Sequence, residues 1–259
     1  MLCTEGKRAD MKNFKLYTYI ITVDDGRSPC YTDGIFSLAC CKPQIRRKIL
    51  RDKLQAEKSG CEPIPSWIMG VRRDKQENKA KVIFIARIDE ILRLEQYYDT
   101  SEYKARRDCT YHNVGTVFVN DKLPVTLEKE IIKAQYPKIN AKNNEHGDFK
   151  NADDMTEQQC RDICGASVLL SKHFDHCNAY KDDWELTQRL TPALGSLLDD
   201  YMSGNRRHYH SFENDGDKPF EQVIKNINLA THENLKGFDE KSDKDIVCGK
   251  KKKITCGKC

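Results

Sequence analysis

The sequence predicts an α+β fold in which short strands form a small mixed sheet or barrel and helices flank it. Three observations support this fold class. The chain has a β-branched and aromatic run at 14–23, two strand-like runs joined by a polar loop at 72–80, and apolar residues at helical spacing in 42–53 and 186–202. The 259 residues, 38% hydrophobic and 32% charged, suffice for one substantial core.

The first elements are two strands and a basic helix. Residues 14–23 (FKLYTYIITV) predict a strand that stops at the Asp-Asp-Gly turn sequence of 24–26. Residues 34–41 (GIFSLACC) form a second short apolar run. A helix rich in Lys and Arg is predicted over 42–53, because Pro43 suits a first helical turn and the following apolar residues have helical spacing.

The middle of the chain contains further strands. Residues 63–71 (PIPSWIMGV) indicate a strand broken by a glycine, and 79–94 begin with the strand-like KVIFIARI. The polar residues 72–80 between them predict a hairpin loop. Two more compact strands are expected at 115–120 and 166–170.

The remaining segments are predicted as helices and one exposed loop. Residues 97–107 are amphipathic and highly charged, and 136–159 have so few aliphatic residues that we expect an exposed insertion. A helix interrupted by Pro192 is expected over 186–202. A second amphipathic candidate covers 220–229.

Composition limits the classes of protein to which the chain can belong. The chain has no run of eighteen apolar residues and its opening lacks the apolar stretch of a signal peptide, so we expect a cytoplasmic protein with no membrane segment. Most of the 12 cysteines are then expected to be reduced thiols. The net charge of +4 is uneven, since 42–53 are strongly basic whereas 145–162 are predominantly acidic.

Part of the chain resembles a known family. Residues 17–47 combine a strand, an Asp-Gly turn with a following Pro, Gly34, the Leu-Ala-Cys of 38–40 and Lys42-Pro43. This pattern resembles the nucleotide modification associated domain of type 2, found near DNA base modification systems in bacteria and phages. The run PSWIMGVR followed by KVIFIARIDEIL is also similar to the paired strands of PUA-like, ASCH and EVE barrels.

The resemblance implies a domain organisation. It predicts a PUA-like barrel with flanking helices over 14–235, carrying the polar insertion at about 136–159. Residues 1–13 would then be an N-terminal extension, and 236–259 a basic, cysteine-containing tail.

Two basic clusters are candidates for contact with a phosphate. Lys42, Arg46 and Arg47 lie at the predicted start of the basic helix, where cationic side chains and free backbone N–H groups both favour an anion. Arg206 and Arg207 follow a Ser-Gly-Asn turn sequence. A solvated helix face is the alternative for the first cluster, and the resemblance favours binding.

The candidate base-binding residues are Asp24, Trp67 and His173, and Arg72 is a further candidate for contact with the nucleic acid or nucleotide. A carboxylate after a strand can accept hydrogen bonds from a base, and an aromatic wall supplies stacking of about 1–3 kcal/mol per base. Core packing is an equal alternative for Trp67.

An enzymatic role would need an acid and a base. Asp24 or Asp25 is the candidate base, and His208 or His210 the candidate acid. The Asp-Gly pair is also a common turn former, and adjacent residues of a strand point to opposite faces, so only one carboxylate would line a pocket.

No cofactor and no metal are expected. The chain has no HExxH, P-loop, GxSxG or dinucleotide motif, and the Cys256–Cys259 pair lacks the second pair of a zinc knuckle. Cys40 and Cys41 precede a basic helix, where a thiol is set up for nucleophilic chemistry, although buried inert thiols are commoner.

These observations lead to one functional prediction and two alternatives. We predict binding of modified nucleobases or modified DNA in a base-modification or phage-defence context, with nucleic acid or a nucleotide as the partner. One alternative is an enzyme acting on a modified base or nucleotide, such as a glycosylase, nuclease or transferase. The other is an interaction protein in phage defence that does not bind nucleic acid.

Overall fold

The structure is a computed structural model, and it describes residues 14–22, 24, 26–74, 78–115, 129–144, 146–177, 179 and 181–202. The strands are β1 (Lys15–Ile20), β2 (Phe36–Leu38), β3 (Ser66–Asp74), β4 (Lys79–Arg87), β5 (Glu90–Arg93), β6 (Tyr111–His112), β7 (Asn140–Ala141), β8 (Ser167–Ser171) and β9 (His173–His176). The α-helices are α1 (Pro43–Lys58), α2 (Leu94–Asp99), α3 (Lys129–Gln135), α4 (Glu157–Cys164) and α5 (Glu185–Met202). Short 3-10 helices cover Thr32–Gly34, Ser101–Tyr103 and Ala152–Asp154.

The largest sheet has the strand order β1-β3-β4-β9. Strands β1 and β3 are parallel, whereas β4 is antiparallel to both β3 and β9. The carboxyl ends of β1, β3 and β9 therefore lie at the same edge of the sheet, next to the beginning of β4. Side chains that follow these three strands are brought together at that edge.

A three-stranded sheet, in the order β2-β8-β5, separates two hydrophobic cores. Leu169 of β8 packs in a core with the four-stranded sheet, α1 and α5. Its neighbours Val168 and Leu170 pack in a second core with α2, α3 and α4. Because successive side chains of a strand point to opposite faces, one short strand supplies both cores. The third sheet pairs β6 with β7.

The two long helices follow the predicted pattern. Helix α1 begins at Pro43, and Ile45, Ile49 and Leu50 are its buried apolar residues. Helix α5 packs against β4 and continues through Pro192, so the interruption expected there is absent. A proline removes one backbone donor, and burial of leucines on both sides of Pro192 favours the helix.

The α+β fold class is confirmed, with five α-helices and three sheets among the described residues. Among these residues, no strand pairing closes the two larger sheets into a barrel. None of the helices in the described ranges is long and apolar enough to cross a membrane. Of the predicted elements, the strand at 115–120 lies almost entirely outside the described residues and the helix at 220–229 lies wholly outside them.

The prediction of an exposed loop at 136–159 is wrong. Ile139, Phe149 and Met155 are buried in the second core, and the segment contains β7 and the beginning of α4. Its buried apolar residues pack into that core, and some of its polar groups bond within the segment. The Thr156 and Gln159 side chains, for example, form a capping box at the start of α4.

Candidate functional site

The candidate site lies at the edge where the carboxyl ends of β1, β3 and β9 meet. Asp24 follows β1, Arg72 lies near the end of β3, and His176 is the last residue of β9. The backbone N–H of Ile21 donates to the carbonyl of Val71 over 2.8 Å and continues the parallel pairing to this edge. The sheet topology thus brings a carboxylate and an imidazole together from two distant parts of the sequence.

Asp24 and His176 form a buried pair. The Oδ2 atom of Asp24 lies 3.5 Å from Nε2 of His176, and the two side chains are only 1% and 8% exposed. A carboxylate beside an imidazole gives a place where a proton can be held or passed on.

Tyr31 covers the imidazole of this pair. Its ring centroid lies 3.9 Å from that of His176, with the two planes inclined by 34°. The Tyr31 ring is partly buried, and its hydroxyl is buried with no hydrogen-bond partner among the described residues. Burial, and then the charge of Asp24, raise the pKa of Tyr31 well above its usual value. The phenol therefore keeps its proton and offers a hydrogen-bond donor at neutral pH.

A cation lies beside the same cluster. The Nζ atom of Lys42 lies 4.8 Å from the ring centroid of Tyr19, a buried residue of β1. Tyr19 is close enough to Tyr31 to contribute to the raised pKa of Tyr31. We call Asp24, Tyr31 and His176, with Tyr19 and Lys42 alongside, the edge site.

A buried arginine holds the segment that carries Tyr31. The guanidinium of Arg106 donates to the carbonyl of Thr32 over 2.6 Å and to that of Ile35 over 2.8 Å. It also donates to the Tyr97 hydroxyl, which in turn donates to Asp108 over 2.7 Å. These contacts fix the backbone on the carboxyl side of Tyr31 and so position its ring.

Arg46, a predicted phosphate ligand, is fully buried. Its guanidinium donates to the carbonyls of Ala39 over 2.5 Å, Ser167 over 2.7 Å and Cys41 over 2.8 Å, and also to that of Asp162. Because these bonds lie inside the protein, the structure does not support a phosphate contact by Arg46. The other two cations of this predicted cluster, Lys42 and Arg47, are both partly exposed.

Trp67 and His173 do not join Asp24. The strand register places Trp67 and His173 on either side of Arg87, at the opposite edge of the sheet from His176. Three residues along β9 separate His173 from His176, or roughly 10 Å. Trp67 is buried in the first core, which is the packing alternative noted above.

A groove of about 670 Å³ lies beside that opposite edge. The charges that line it pair with one another: Lys15 Nζ lies 2.6 Å from Asp52 Oδ2, and Arg87 Nε lies 3.0 Å from Asp89 Oδ1. Burial alone would raise the pKa of Asp89. The hydrogen bonds that Asp89 accepts from His173, Lys172 and Arg87 outweigh burial, so the pKa is lowered. Since its cations are matched by carboxylates, the groove favours a phosphate less than the edge site does.

The other predicted residues lie outside the described part of the chain: Asp25, Arg206, Arg207, His208 and His210. Sequence reasoning missed Tyr31 and Arg106. His176 carried one usable signal, the alternation of His, Phe, Asp and His in 173–176, which is typical of a short strand with one buried face.

Comparison with known proteins identifies the family. No curated protein and no solved structure matches the chain. One family model does match, that of nucleotide modification associated domain 2, and it covers residues 13–237 and hence every described residue. The chain therefore belongs to the nucleotide modification associated domain 2 family, as the pattern at 17–47 predicted.

Proposed function

We propose that the protein binds a modified nucleobase, in DNA or in a nucleotide, at the edge site. The observation that carries the proposal is the buried Tyr31 hydroxyl, which has no hydrogen-bond partner among the described residues and lies beside Asp24 and His176. Membership of a family linked to nucleotide modification supports this class of ligand.

The hydrogen-bonding groups of the edge site suit the edge of a base. Tyr31 supplies a donor, Asp24 an acceptor, and His176 either one, depending on its protonation. Leaving a hydroxyl buried without a partner costs about 1–3 kcal/mol, which a ligand that accepts from Tyr31 would recover. A base that lacks the matching acceptor would leave that cost in place, and this provides discrimination.

Charge would supply affinity. Lys42, Arg47 and Arg72 are the described cations that we assign to phosphate contacts, with Arg206 and Arg207 as further candidates. In duplex DNA the base would have to be flipped out of the stack, which is easiest for a base that already pairs poorly.

The proposal includes the architecture and context that the sequence predicted. The four-stranded and three-stranded sheets share one core. In this core the ring centroids of Phe36 in β2 and Phe84 in β4 are 5.0 Å apart. Two sheets around a common core support a PUA-like barrel within a domain spanning 14–235. A setting in DNA modification or phage defence follows from the same proposal.

Binding to matched unmodified and hypermodified DNA, titrated with salt, tests the proposal. We expect tighter binding to the modified DNA, and about tenfold weaker binding of it by Tyr31→Phe, because one hydrogen bond is lost. Tyr103→Phe removes a hydroxyl from the other core and should leave affinity unchanged. Equal binding of both DNAs by the parent protein, with free modified nucleotides also unbound, would overturn the proposal.

The proposed contact of Lys42 with a phosphate can be tested by the salt dependence of binding. Lys42→Gln should weaken binding to all sequences and reduce the dependence of log K on log salt by about one unit. Lys58→Gln, at the far end of α1, is the matched control and should leave that slope unchanged.

One observation favours a second candidate, an enzyme acting on the modified base. Asp24 and His176 are 3.5 Å apart and could act as base and acid. Mass analysis of DNA recovered from the binding assay separates the two candidates. Altered or cleaved DNA with the parent protein, and unchanged DNA with Asp24→Asn, would indicate an enzyme, whereas DNA recovered unchanged in both cases would indicate a binding protein.

A further inference from the structure

A thiol, an imidazole and a carboxylate converge next to the edge site. The Sγ atom of Cys41 lies 3.9 Å from Nε2 of His146, and that nitrogen lies 3.6 Å from Oδ2 of Asp162. All three ligand atoms lie within 4.8 Å of one another. Cys41 precedes α1, His146 follows β7, and Asp162 belongs to α4, so only the tertiary structure brings them together.

The geometry does not fit a catalytic Cys-His-Asp triad. In a triad the histidine uses one ring nitrogen toward the nucleophile and the other toward the carboxylate. Here the thiol and the carboxylate both approach Nε2, and a single nitrogen cannot accept from one while donating to the other. Three ligand atoms that converge on one point are instead the arrangement of a metal site.

Two of the three distances between the ligand atoms are close to those of a zinc site. Zn–S bonds of about 2.3 Å and Zn–N and Zn–O bonds of about 2.0–2.1 Å in a tetrahedron place sulfur about 3.6 Å from nitrogen and nitrogen about 3.3 Å from oxygen. The two observed distances are each longer by about 0.3 Å, which a small movement of the His146 and Cys41 side chains would close.

We propose that Cys41, His146 and Asp162 bind one divalent transition-metal ion of the zinc class, with a fourth position open. Thiolate and imidazole ligands select against Mg²⁺ and Ca²⁺, which prefer oxygen. Three protein ligands with one open position are typical of catalytic zinc, whereas structural zinc has four. The two anionic ligands offset the charge of the ion.

Hydrogen bonds already orient the three ligands. The carboxylate of Asp162 accepts from the backbone N–H of Cys41 and from the Tyr111 hydroxyl, each over 2.7 Å. The backbone N–H of His146 donates to Asn144 Oδ1 over 2.9 Å. Such outer-shell contacts are the usual support of a metal site. The Asp162 side chain is fully buried and that of His146 is 24% exposed, so an ion would enter beside the imidazole.

The backbone at Cys41 supplies an independent observation. Cys41 and Lys42 have φ angles of 57° and 44°, in the left-handed region that residues with a Cβ rarely adopt. Such residues cost of order 1–3 kcal/mol each and cluster at functional sites. This conformation places the Cys41 N–H on Asp162 and its sulfur beside His146.

Metal titration of the full-length chain tests the proposal. Protein stripped with a chelator is titrated with Co²⁺, followed by displacement with Zn²⁺. We expect one equivalent to bind with a thiolate-to-cobalt charge-transfer absorption that depends on Cys41. Cys41→Ser should abolish the charge-transfer absorption. His146→Gln should weaken cobalt binding at least about tenfold, since even the loss of a residue that only supports a metal ligand typically has an effect of this size.

Two controls separate this site from other thiols and imidazoles. The double variant Cys256→Ser/Cys259→Ser removes the pair in the tail, and His112→Gln changes another partly buried imidazole. Both should retain the metal and the absorption assigned to Cys41. The proposal is overturned if the stripped parent protein binds no cobalt, or if Cys41→Ser keeps the full signal while the tail double variant loses it.

Discussion

At the residue scale, Arg46 connects the start of α1 to the segments on which the helix packs. Its guanidinium donates to four backbone carbonyls and is itself fully buried. Gly165 leaves room for it, since a Cβ at that position would lie closer than 3.0 Å to the guanidinium. The arginine that was predicted to bind phosphate is therefore a structural residue.

Replacement of Arg46 should be strongly destabilising. Arg46→Leu would leave buried carbonyls without donors, at about 1–3 kcal/mol each. We expect the free energy of unfolding, measured with urea, to fall by at least about 3 kcal/mol. Arg51→Leu removes an arginine of the same helix whose side chain is 40% exposed. This substitution should change the free energy of unfolding by less than about 1 kcal/mol. Similar losses for both variants would contradict the structural role.

At the element scale, Gly70 permits the contact of β3 with the core. A Cβ at this position would clash with the Phe84 ring and with the side chain of Ile21. The pairing of β3 with β4 shifts register between Gly70 and Val71, as in a bulge. This shift sets which residues reach the edge site from the end of β3.

Gly70→Ala should destabilise the protein by about 1–3 kcal/mol through overpacking. Gly195→Ala, in the interior of α5 where a Cβ would make an ordinary van der Waals contact with Thr191 Cγ2 at 3.9 Å, should stabilise by up to about 1 kcal/mol. Urea unfolding of the two variants measures both effects. A stabilised Gly70→Ala variant would show that the Phe84 contact does not limit this strand.

At the scale of the whole molecule, the two cores contain ionisable groups that folding keeps neutral. Burial raises the pKa of the Cys109 and Cys177 thiols from 9.0 to about 12. Burial also raises the pKa of Tyr98 and Tyr111 well above the usual value. Each group therefore binds its proton more tightly in the folded protein than in the unfolded chain.

Stability should consequently decrease in alkali. A group whose pKa is raised by folding stabilises the protein fully below its unfolded pKa, and this contribution is lost as the pH rises toward the folded pKa. For the two thiols the loss begins near pH 9, with a slope of at most about 1.4 kcal/mol per pH unit for each thiol. Urea unfolding from pH 8 to 10.5 measures the slope, and Cys109→Ala should make it shallower. A free energy of unfolding that is constant over this range would contradict the prediction.

The fold class, the family and most of the longer elements could be predicted from the amino-acid sequence alone. Periodicity identified β1, β3, β4, β8 and α1, because each buries a regular apolar pattern that is visible in a short window. The resemblance at 17–47 identified the family, which the matching model confirmed. The sequence also proposed Asp24 for the base and Lys42 for the phosphate of one ligand, and these two contacts stay predictions.

The contacts between side chains from distant segments could not be predicted from the sequence. Tyr31 and His176 are 145 positions apart, and Cys41 lies more than 100 positions from both His146 and Asp162. Composition and local spacing carry no information on such pairs. The parallel pairing of β1 with β3 places Asp24 at the same end of the sheet as His176, away from Trp67. The burial of Arg46, which was predicted to bind phosphate, shows that it is a structural residue. The physical reason is that packing between distant segments, which sets burial and strand register, is not encoded in any short window of sequence.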